Sequence, residues 1–240
     1  MIDPRVSIIQ DRVGDINRII AVTSGKGGVG KSLLASTLAL LLARRGRSTG
    51  LFDLDFTSPS THFILGVRET WPIEDKGIIP PLIHGLRYMS VVYYSKNRAM
   101  PLRGIEFSNA FIELFSVIKW GSLDFLIVDM PPGIGDAMLD LIRFVKRAEF
   151  LIVTTSSPLA FETVRKLISM LNELEAPILG VVENMKMEGS VVKQEVLRLG
   201  VNFLGEIPYD PVVENSLGNV CELLKTVFAD SVNKIIEKME

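Results

Sequence analysis

The sequence contains few of the residues that usually bind metal ions or form disulfides. Among its 240 residues there is one cysteine, Cys221, and there are two histidines, His62 and His84. One cysteine cannot form an internal disulfide, which fits a reducing cytosol. We expect both histidines to be surface or packing residues rather than ligands. Cys221 is expected to be a small buried residue at the start of an apolar helix.

Three further absences limit where the protein acts and what it binds. The longest apolar stretch, residues 33–43, contains a serine and a threonine and is much shorter than the roughly 20 residues of a membrane-spanning helix. The N-terminal segment MIDPRVSIIQDRVGD is too charged for a signal peptide. The 26 basic and 28 acidic residues leave a net charge of −2, without the basic excess of most nucleic-acid-binding proteins. We therefore expect a cytoplasmic protein that binds neither nucleic acid nor, stably, a membrane.

The organisation of the chain indicates one domain. Hydrophobic residues make up 48% of the sequence, and no linker-like segment, internal repeat or block of like charge divides it. We expect a single domain over residues 1–240, with an N-terminal arm at residues 1–17. Residues 66–107 are rich in proline and glycine and too long for a plain connector. This excursion is either a partner-binding segment or ordinary irregular structure over the sheet edge.

Apolar runs of strand length alternate with longer segments of helical periodicity. Runs of Ile, Val and Leu without alternation indicate strands buried on both faces, and the intervening helices indicate a parallel sheet covered by helices. The pattern predicts an α/β fold of the P-loop NTPase type, with a doubly wound, mostly parallel sheet that binds ligands beyond the carboxyl ends of its strands. The predicted strands are 18–24, 48–55, 86–94, 124–129, 149–155, 177–184 and 201–208, and the predicted helices are 31–45, 108–118 and 159–174.

The segment SGKGGVGKS, residues 24–32, has the spacing of a phosphate-binding loop between a strand and a helix. Its glycines let backbone N–H groups turn toward phosphate oxygens, and the positive end of the helix points at the same anion. Lys31 then reaches the β- and γ-phosphates, and the Ser32 hydroxyl binds Mg²⁺. Lys26 is a second lysine that this pattern does not require. The nucleotide-binding residues expected from this segment are Gly25, Lys26, Gly27, Gly28, Val29, Gly30, Lys31, Ser32 and Leu33.

Acidic residues follow two predicted strands at the same sheet edge. Asp129 ends the apolar run FLIVD and fits the acid that holds Mg²⁺ through its water shell. Asp53 and Asp55 end the second strand, and their spacing of two places both on one side of it. Either one serves the metal while the other orients the attacking water, or only one is catalytic. After Asp129, a segment with Gly133 and Gly135 is flexible enough to respond to loss of the γ-phosphate.

The end of the predicted strand 177–184 indicates which nucleotide base the protein binds. A GTPase normally carries Asn-Lys-x-Asp, whose aspartate binds the guanine amino group, whereas this chain has ENMKME. The aspartate is missing, while Asn184 is able to bond an adenine edge. We therefore expect ATP rather than GTP.

Together, the segments KGGVGKS, DLDFTSPS, DMPPGIGD, VVENM and FLGEIPYDP resemble the Mrp/MinD/ParA class of deviant-Walker ATPases, and the Mrp branch most. The resemblance covers about residues 18–220. It implies a homodimer in which two ATP-bound subunits enclose two nucleotides. It also implies that Lys26 crosses the interface to the phosphates of the other subunit.

The resemblance implies roles for the other polar residues as well. Asp55 matches the acid that positions the attacking water, and Asp53 and Asp129 match acids of the Mg²⁺ shell. Asn184 matches an adenine-binding asparagine, with Pro208 and Asp210 nearby.

Two departures from that class change the expected function. Mrp-type iron–sulfur carriers place Cys-x-x-Cys soon after ENM, whereas this chain reads ENMKMEGSVVKQE. Because thiolates hold such clusters, we expect no bound iron–sulfur cluster. The C-terminal segment CELLKTVFADSVNKIIEKME lacks the basic polar face of a membrane-binding helix, so we expect it to pack on the domain.

A narrower resemblance is to the cysteine-free archaeal ATPase-type HypB, which works with the nickel metallochaperone HypA. It is carried by PPLIHGLRYMSVVYY, PLRG, DMPPGIGDAMLDLIRFVKRAEFLIV, VVENMK and GNVCELLKTVFAD. We therefore expect a slow, partner-stimulated ATPase that cycles between Mg-ATP and ADP as a dimerisation switch in metallocentre assembly. Nickel or an iron–sulfur cluster would be delivered through a partner metallochaperone or maturation protein. The alternative is a MinD- or ParA-like positioning or partition ATPase that acts on a membrane or nucleoid.

Overall fold

The structure, a computed structural model, describes residues 5–95 and 104–239. Residues 96–103 of the predicted excursion lie outside this range. The strands are β1 (Ile16–Ser24), β2 (Thr49–Asp53), β3 (Ile73–Glu74), β4 (Ile78–Ile79), β5 (Leu82–Ile83), β6 (Leu86–Ser90), β7 (Leu123–Asp129), β8 (Ala148–Thr155), β9 (Ile178–Lys186) and β10 (Phe203–Pro208). The helices are α1 (Arg5–Gly14), α2 (Lys31–Arg44), α3 (Thr61–Ile64), α4 (Val92–Ser95), α5 (Ile105–Val117), α6 (Asp136–Phe144), α7 (Pro158–Glu173), α8 (Val192–Arg198), α9 (Val212–Ser216), α10 (Val220–Leu223) and α11 (Val227–Met239).

Within the described residues, eight strands form one sheet in the order β10-β9-β8-β1-β7-β2-β6-β5. Neighbouring strands run parallel except β5 and β6, which are antiparallel. The central strand β1 is apolar on both faces, and Ile19 and Ile20 are fully buried on opposite sides of it. The predicted doubly wound, mostly parallel sheet is therefore confirmed.

Helices cover both faces of this sheet. One face buries side chains of α1, α5, α6, α7 and α8, among them Phe111 and Leu167. The other face buries α2 and α11, among them Leu38 and Ile236. Because the central strands are parallel, their carboxyl ends open at one edge of the sheet, where the loops to the helices emerge.

The segment predicted as an N-terminal arm contains helix α1. Its apolar residues Val6, Ile9 and Val13 recur at helical spacing and pack against the core, with Ile9 and Val13 buried. The described part of the arm is thus attached to the domain along one helical face, beside α5.

The described part of the predicted excursion, residues 66–95, follows one edge of the sheet. β3 and β4 form an antiparallel pair, and β5 extends the main sheet beside β6. The prediction of a strand over residues 86–94 is wrong at its end. β6 stops at Ser90 because the Ser90 hydroxyl accepts a hydrogen bond from the Val92 N–H (3.2 Å), where α4 begins.

The C-terminal segment packs on the domain, as predicted. Helix α11 buries Val232 and Ile236 against the core. The prediction that Cys221 is buried is wrong, because its side chain is exposed. The four-residue helix α10 buries Val220 and Leu223 instead, three positions apart, which turns Cys221 toward solvent.

Candidate nucleotide-binding site

The predicted phosphate-binding loop connects β1 to α2 at the carboxyl edge of the sheet. Gly28 and Gly30 have φ angles of 79° and 81°, in the left-handed region that side chains other than glycine rarely adopt. A Cβ at Gly28 would meet nothing within 4 Å, whereas one at Gly30 would lie 2.2 Å from the Asn184 Nδ2. The loop is therefore open on one side and packed against β9 on the other.

Lys31 and Asp129 form a buried ion pair beneath the loop. The Lys31 Nζ donates to the Asp129 Oδ1 at 2.5 Å and to the Ser32 Oγ at 3.2 Å. Lys31 is 6% exposed and Asp129 is fully buried. Burial raises the pKa of Asp129, and the positive charge of Lys31 opposes that rise. The Lys31 ammonium group is therefore already bonded to a carboxylate of its own subunit.

Asp53, the last residue of β2, is surrounded by hydrogen-bond donors. Its Oδ2 accepts from the Thr61 N–H (3.2 Å) and the Thr61 hydroxyl (2.7 Å), and its Oδ1 accepts from the Asp55 N–H (3.1 Å). The Thr61 hydroxyl also lies 2.9 Å from the Tyr88 hydroxyl. Burial, followed by the charge of Asp129, raises the pKa of Asp53 to about 7. Asp53 therefore lies below the cleft, within a buried polar network.

β2 ends at Asp53, two residues before the end of the predicted strand, so Asp55 lies beyond it. Its Oδ1 accepts from the N–H (3.1 Å) and hydroxyl (2.7 Å) of Thr57 and from the Ser58 N–H (3.0 Å). These bonds form a turn that places the Asp55 carboxylate in the wall of the cleft. Asp53 and Asp55 thus bond different partners, although they are two residues apart.

Backbone hydrogen bonds join the strand ends around the loop. The Leu54 N–H donates to the Asp129 carbonyl (2.9 Å), which fixes the end of β2 to the end of β7. The Gly133 N–H donates to the Ser24 carbonyl (2.8 Å), and Gly135 precedes α6. The glycine segment predicted to respond to the γ-phosphate is therefore attached to the start of the phosphate-binding loop.

The three residues predicted to bind adenine occupy different places. The Asn184 Nδ2 donates to the Val29 carbonyl at 2.9 Å, so Asn184 is packed against the phosphate-binding loop. Asp210 accepts from backbone N–H groups near the starts of α9 and α11, at 3.1 Å each. Pro208 lines a separate groove at the end of the sheet. Pro208 and Asp210 are absent from the described walls of the cleft at the loop, and the adenine role of all three residues stays a prediction.

The cleft at the loop has a volume of about 500 Å³ and an apolar side that sequence reasoning missed. This side is formed by Phe63, Met185, Val213 and Leu217, which come from α3, the end of β9 and the α9 region. Phe63 is 62% exposed although it is a large apolar residue. Val213 and Leu217 are four residues apart, after the segment IPYDP, and helical spacing near that motif is the signal that indicates them.

Lys26 lines the same cleft and is half-buried. Its carbonyl accepts a hydrogen bond from the Ser24 hydroxyl at 2.9 Å, which fixes the backbone of the residue. Within residues 5–95 and 104–239, its ammonium group makes no hydrogen bond or ion pair. The two lysines of the loop therefore differ, because Lys31 bonds within the subunit and Lys26 does not.

The described side chains around this cleft include few metal ligands. No group of three or more His, Cys, Asp or Glu side chains that could hold a metal occurs in the described part of the chain. Mg²⁺ in phosphate sites is usually held by one or two carboxylates together with phosphate oxygens and water. The Asp129 Oδ2 is buried and has no hydrogen-bond partner among the described residues, and Ser32 lies beside the same ion pair. These groups fit such an ion.

Sequence comparisons show the family to which the chain belongs. The model of the family described as ParA, NUBPL iron-transfer P-loop NTPase, matches residues 15–240. A relative from Pseudomonas fragi named iron–sulfur cluster carrier protein is 43% identical over 177 residues, which cover 72% of this chain and 62% of the relative. A protein of the same name from Aquifex aeolicus is 36% identical over 220 residues, covering 84% of this chain and 60% of the relative. The chain therefore spans less than two thirds of these two relatives.

Solved structures show the same architecture. A nucleotide-binding protein from Archaeoglobus fulgidus, solved in complex with ADP, has a TM-score of 0.77 and 29% identity, over 91% of this chain and 92% of that one. The cell division ATPase MinD from Pyrococcus furiosus has a TM-score of 0.67 and 23% identity, over 93% of this chain and 98% of that one. The second likeness is one of fold alone.

Proposed function

Because the chain belongs to the ParA family described as NUBPL iron-transfer P-loop NTPases, we propose that it is a Mg-ATP-dependent dimerisation switch that assists metallocentre assembly. Membership of this family confirms the resemblance to the Mrp/MinD/ParA class and supports the predicted P-loop ATPase. The first two relatives are matched over only 62% and 60% of their length, so their cargo enters here as part of the proposal.

The proposed dimerisation step rests on the position of Lys26. Lys26 lines the nucleotide cleft, and its ammonium group has no partner in the described part of its own subunit. Two ATP-bound subunits would repel each other through their phosphates, and a lysine from each subunit offsets that charge. ADP lacks the γ-phosphate and so offers Lys26 a weaker partner, which makes the dimer depend on the state of the nucleotide.

The ion pair of Lys31 and Asp129 supports the role of a phosphate sensor. Lys31 bonds Asp129 at 2.5 Å, and an arriving γ-phosphate provides a second acceptor for the ammonium. Asp129, when released from Lys31, is available to the metal shell together with Ser32. Mg²⁺, when bound, neutralises charge on the β- and γ-phosphates. Asp55 orients the attacking water, because its turn holds the carboxylate in the cleft wall.

The composition supports a partner that carries the metal. The chain has one cysteine, Cys221, and residues 186–195, which directly follow Met185, contain none. Iron–sulfur clusters are usually held by four thiolates, and a dimer of this chain would supply two. We therefore propose that a metallochaperone or maturation protein holds the nickel or cluster, and that this ATPase controls when the partner is bound.

The position of α11 does not favour the alternative of a membrane-positioning ATPase. Its apolar residues Phe228, Val232 and Ile235 are buried in the core of the subunit, so they are not free to enter a lipid surface. Among residues 5–95 and 104–239, no helix combines the length and apolarity needed to cross a bilayer.

The proposal is tested by the oligomeric state of Lys26→Ala. We expect the wild type to dimerise with Mg²⁺ and a non-hydrolysable ATP analogue, measured by light scattering, and the variant to stay monomeric while it still binds ADP. Lys146→Ala is the matched control, because Lys146 is exposed and precedes β8 at the opposite edge of the sheet. Unchanged dimerisation of Lys26→Ala would contradict a role for Lys26 across the interface.

A further inference from the structure

A groove separate from the nucleotide cleft lies at the end of the sheet formed by β10. It has a volume of about 790 Å³, and two strands, β9 and β8, lie between β10 and β1, the strand that leads into the phosphate-binding loop. We call it the β10 groove. It is lined by Lys186, Met187, Glu188, Lys193, Phe203, Leu204, Gly205, Glu206, Pro208, Val227, Ser231, Lys234, Ile235 and Lys238.

The floor of the β10 groove is a sheet edge. β10 pairs with β9 on one side, and no other described strand pairs with its second side. An edge strand of this kind presents backbone N–H and C=O groups that another strand can bond. Helices α8 and α11 pack on opposite faces of the sheet, so they flank this edge without replacing a strand.

Apolar side chains accompany the open edge. Leu204 and Ile235 are nearly buried, Phe203 is half-buried, and Val227 is 56% exposed. The helix lies close to the strand, because a Cβ on Gly205 would come within 2.9 Å of the Ile235 Cγ1. The groove therefore offers shallow apolar contact beside unpaired backbone, a combination that suits an extended peptide with alternating side chains.

The walls of the β10 groove are basic. Four lysines and two glutamates line it, which gives the groove a charge of +2 although the chain carries −2. Lys186 forms an ion pair with Glu206. Lys193, Lys234 and Lys238 are exposed and form no ion pair with any described residue. These three ammonium groups are available to an acidic ligand.

We propose that the β10 groove binds an extended acidic segment of a partner protein, which adds a strand to the sheet beside β10. Backbone pairing along the edge supplies affinity, and the three free lysines select for Asp and Glu. A nucleic acid fits less well, because its backbone cannot pair with a strand edge and because Glu188 and Glu206 lie in the wall. The proposal does not rest on the ATPase cycle, since the groove shares no lining residue with the nucleotide cleft.

The test uses a fluorescein-labelled ten-residue peptide of alternating glutamate and valine, titrated with the full chain and followed by fluorescence anisotropy. We expect saturable binding that weakens between 50 and 300 mM salt, because exposed charges are screened. The double variant K193E/K234E should weaken binding about tenfold or more. The matched control is K76E/K146E, which reverses two exposed lysines that do not line the groove and should stay within about twofold of the wild type.

Two further probes separate strand addition from charge attraction alone. The same peptide N-methylated at alternate residues keeps its charge but loses backbone donors, and we expect its binding to be lost. An oligodeoxynucleotide of ten nucleotides tests whether the groove binds nucleic acid instead. We expect it to bind no more tightly to the wild type than to K193E/K234E. The proposal would be overturned if the peptide showed no saturable binding, or if the methylated peptide bound equally well. It would also be overturned if the oligonucleotide, in place of the peptide, bound in a way that depends on these lysines.

Discussion

One lysine of the nucleotide cleft, Lys31, and three lysines of the β10 groove lie in opposite environments. Lys31 in the cleft is 6% exposed and bonds the fully buried Asp129. In the groove, Lys193, Lys234 and Lys238 are exposed and form no ion pair within the described residues. A buried charge depends on its partner, whereas an exposed charge is stabilised by water. We therefore expect the pair of Lys31 and Asp129 to bear on the stability of the fold as well as on nucleotide binding, and the three exposed groove lysines to bear on recognition alone.

The largest effect is expected from breaking the buried pair. Lys31→Met should weaken nucleotide binding by about a hundredfold, measured by calorimetry, because the phosphates lose a charged donor. It should also lower the free energy of unfolding by about 3 kcal/mol, since Asp129 is left buried without its partner.

The double variant K31M/D129N separates the two consequences of that change. Removing both charges should restore most of the lost stability in denaturant unfolding, while nucleotide binding stays weak. If the single variant is as stable as the wild type, the pair does not stabilise the fold and the contrast with the groove fails.

Asp55 provides the next largest effect, because it lines the cleft and also holds a turn. Asp55→Ala should slow ATP hydrolysis by about a hundredfold or more and leave an ATP-bound dimer that persists in light scattering. Asp55→Asn is the informative control, since an amide oxygen can still accept from Thr57 and Ser58 and preserve the turn. Normal turnover in Asp55→Asn would mean that the residue acts through the turn and not on the attacking water.

The nucleotide cleft and the β10 groove also differ in how far each can be predicted from the sequence. The loop at residues 24–32 is contiguous, so its glycines and Lys31 were evident from spacing, and the parallel sheet followed from the apolar runs around it. The groove combines β9, β10, α8 and α11, and no short motif joins Lys193 to Lys234. Its basic character appears only once the chain is folded.

Two smaller predictions are wrong because local structure overrides the sequence pattern. The second strand ends at Asp53 and not at Asp55, because Asp55 accepts bonds from the following turn. Cys221 looked buried because its neighbours are apolar, but helix α10 has only four residues and buries those neighbours instead. Periodicity identifies the elements, while side-chain bonds to the backbone determine their ends.

A moderate, pH-dependent effect is expected at Asp53. Its pKa is raised from 3.8 to about 7 in the folded protein, so folding favours the protonated form. The resulting stabilisation is fully present below the unfolded pKa and is lost as pH rises through about 7. In nucleotide-free protein with chelator, the melting temperature of the wild type relative to Asp53→Asn should therefore fall between pH 5 and pH 8. A constant difference over that range would show that Asp53 titrates normally.

The smallest effect is expected in the groove. Lys193→Ala and Lys234→Ala, alone or together, should change the free energy of unfolding by less than about 0.5 kcal/mol, because these exposed side chains have no ion pairs to lose. Their ATPase rate without a partner should equal that of the wild type. Measuring denaturant unfolding of these variants and of Lys31→Met under the same conditions compares the two regions directly. If the groove variants were destabilised as strongly as Lys31→Met, these lysines would stabilise the fold. The groove lysines would then not differ from Lys31 in being available to an acidic partner.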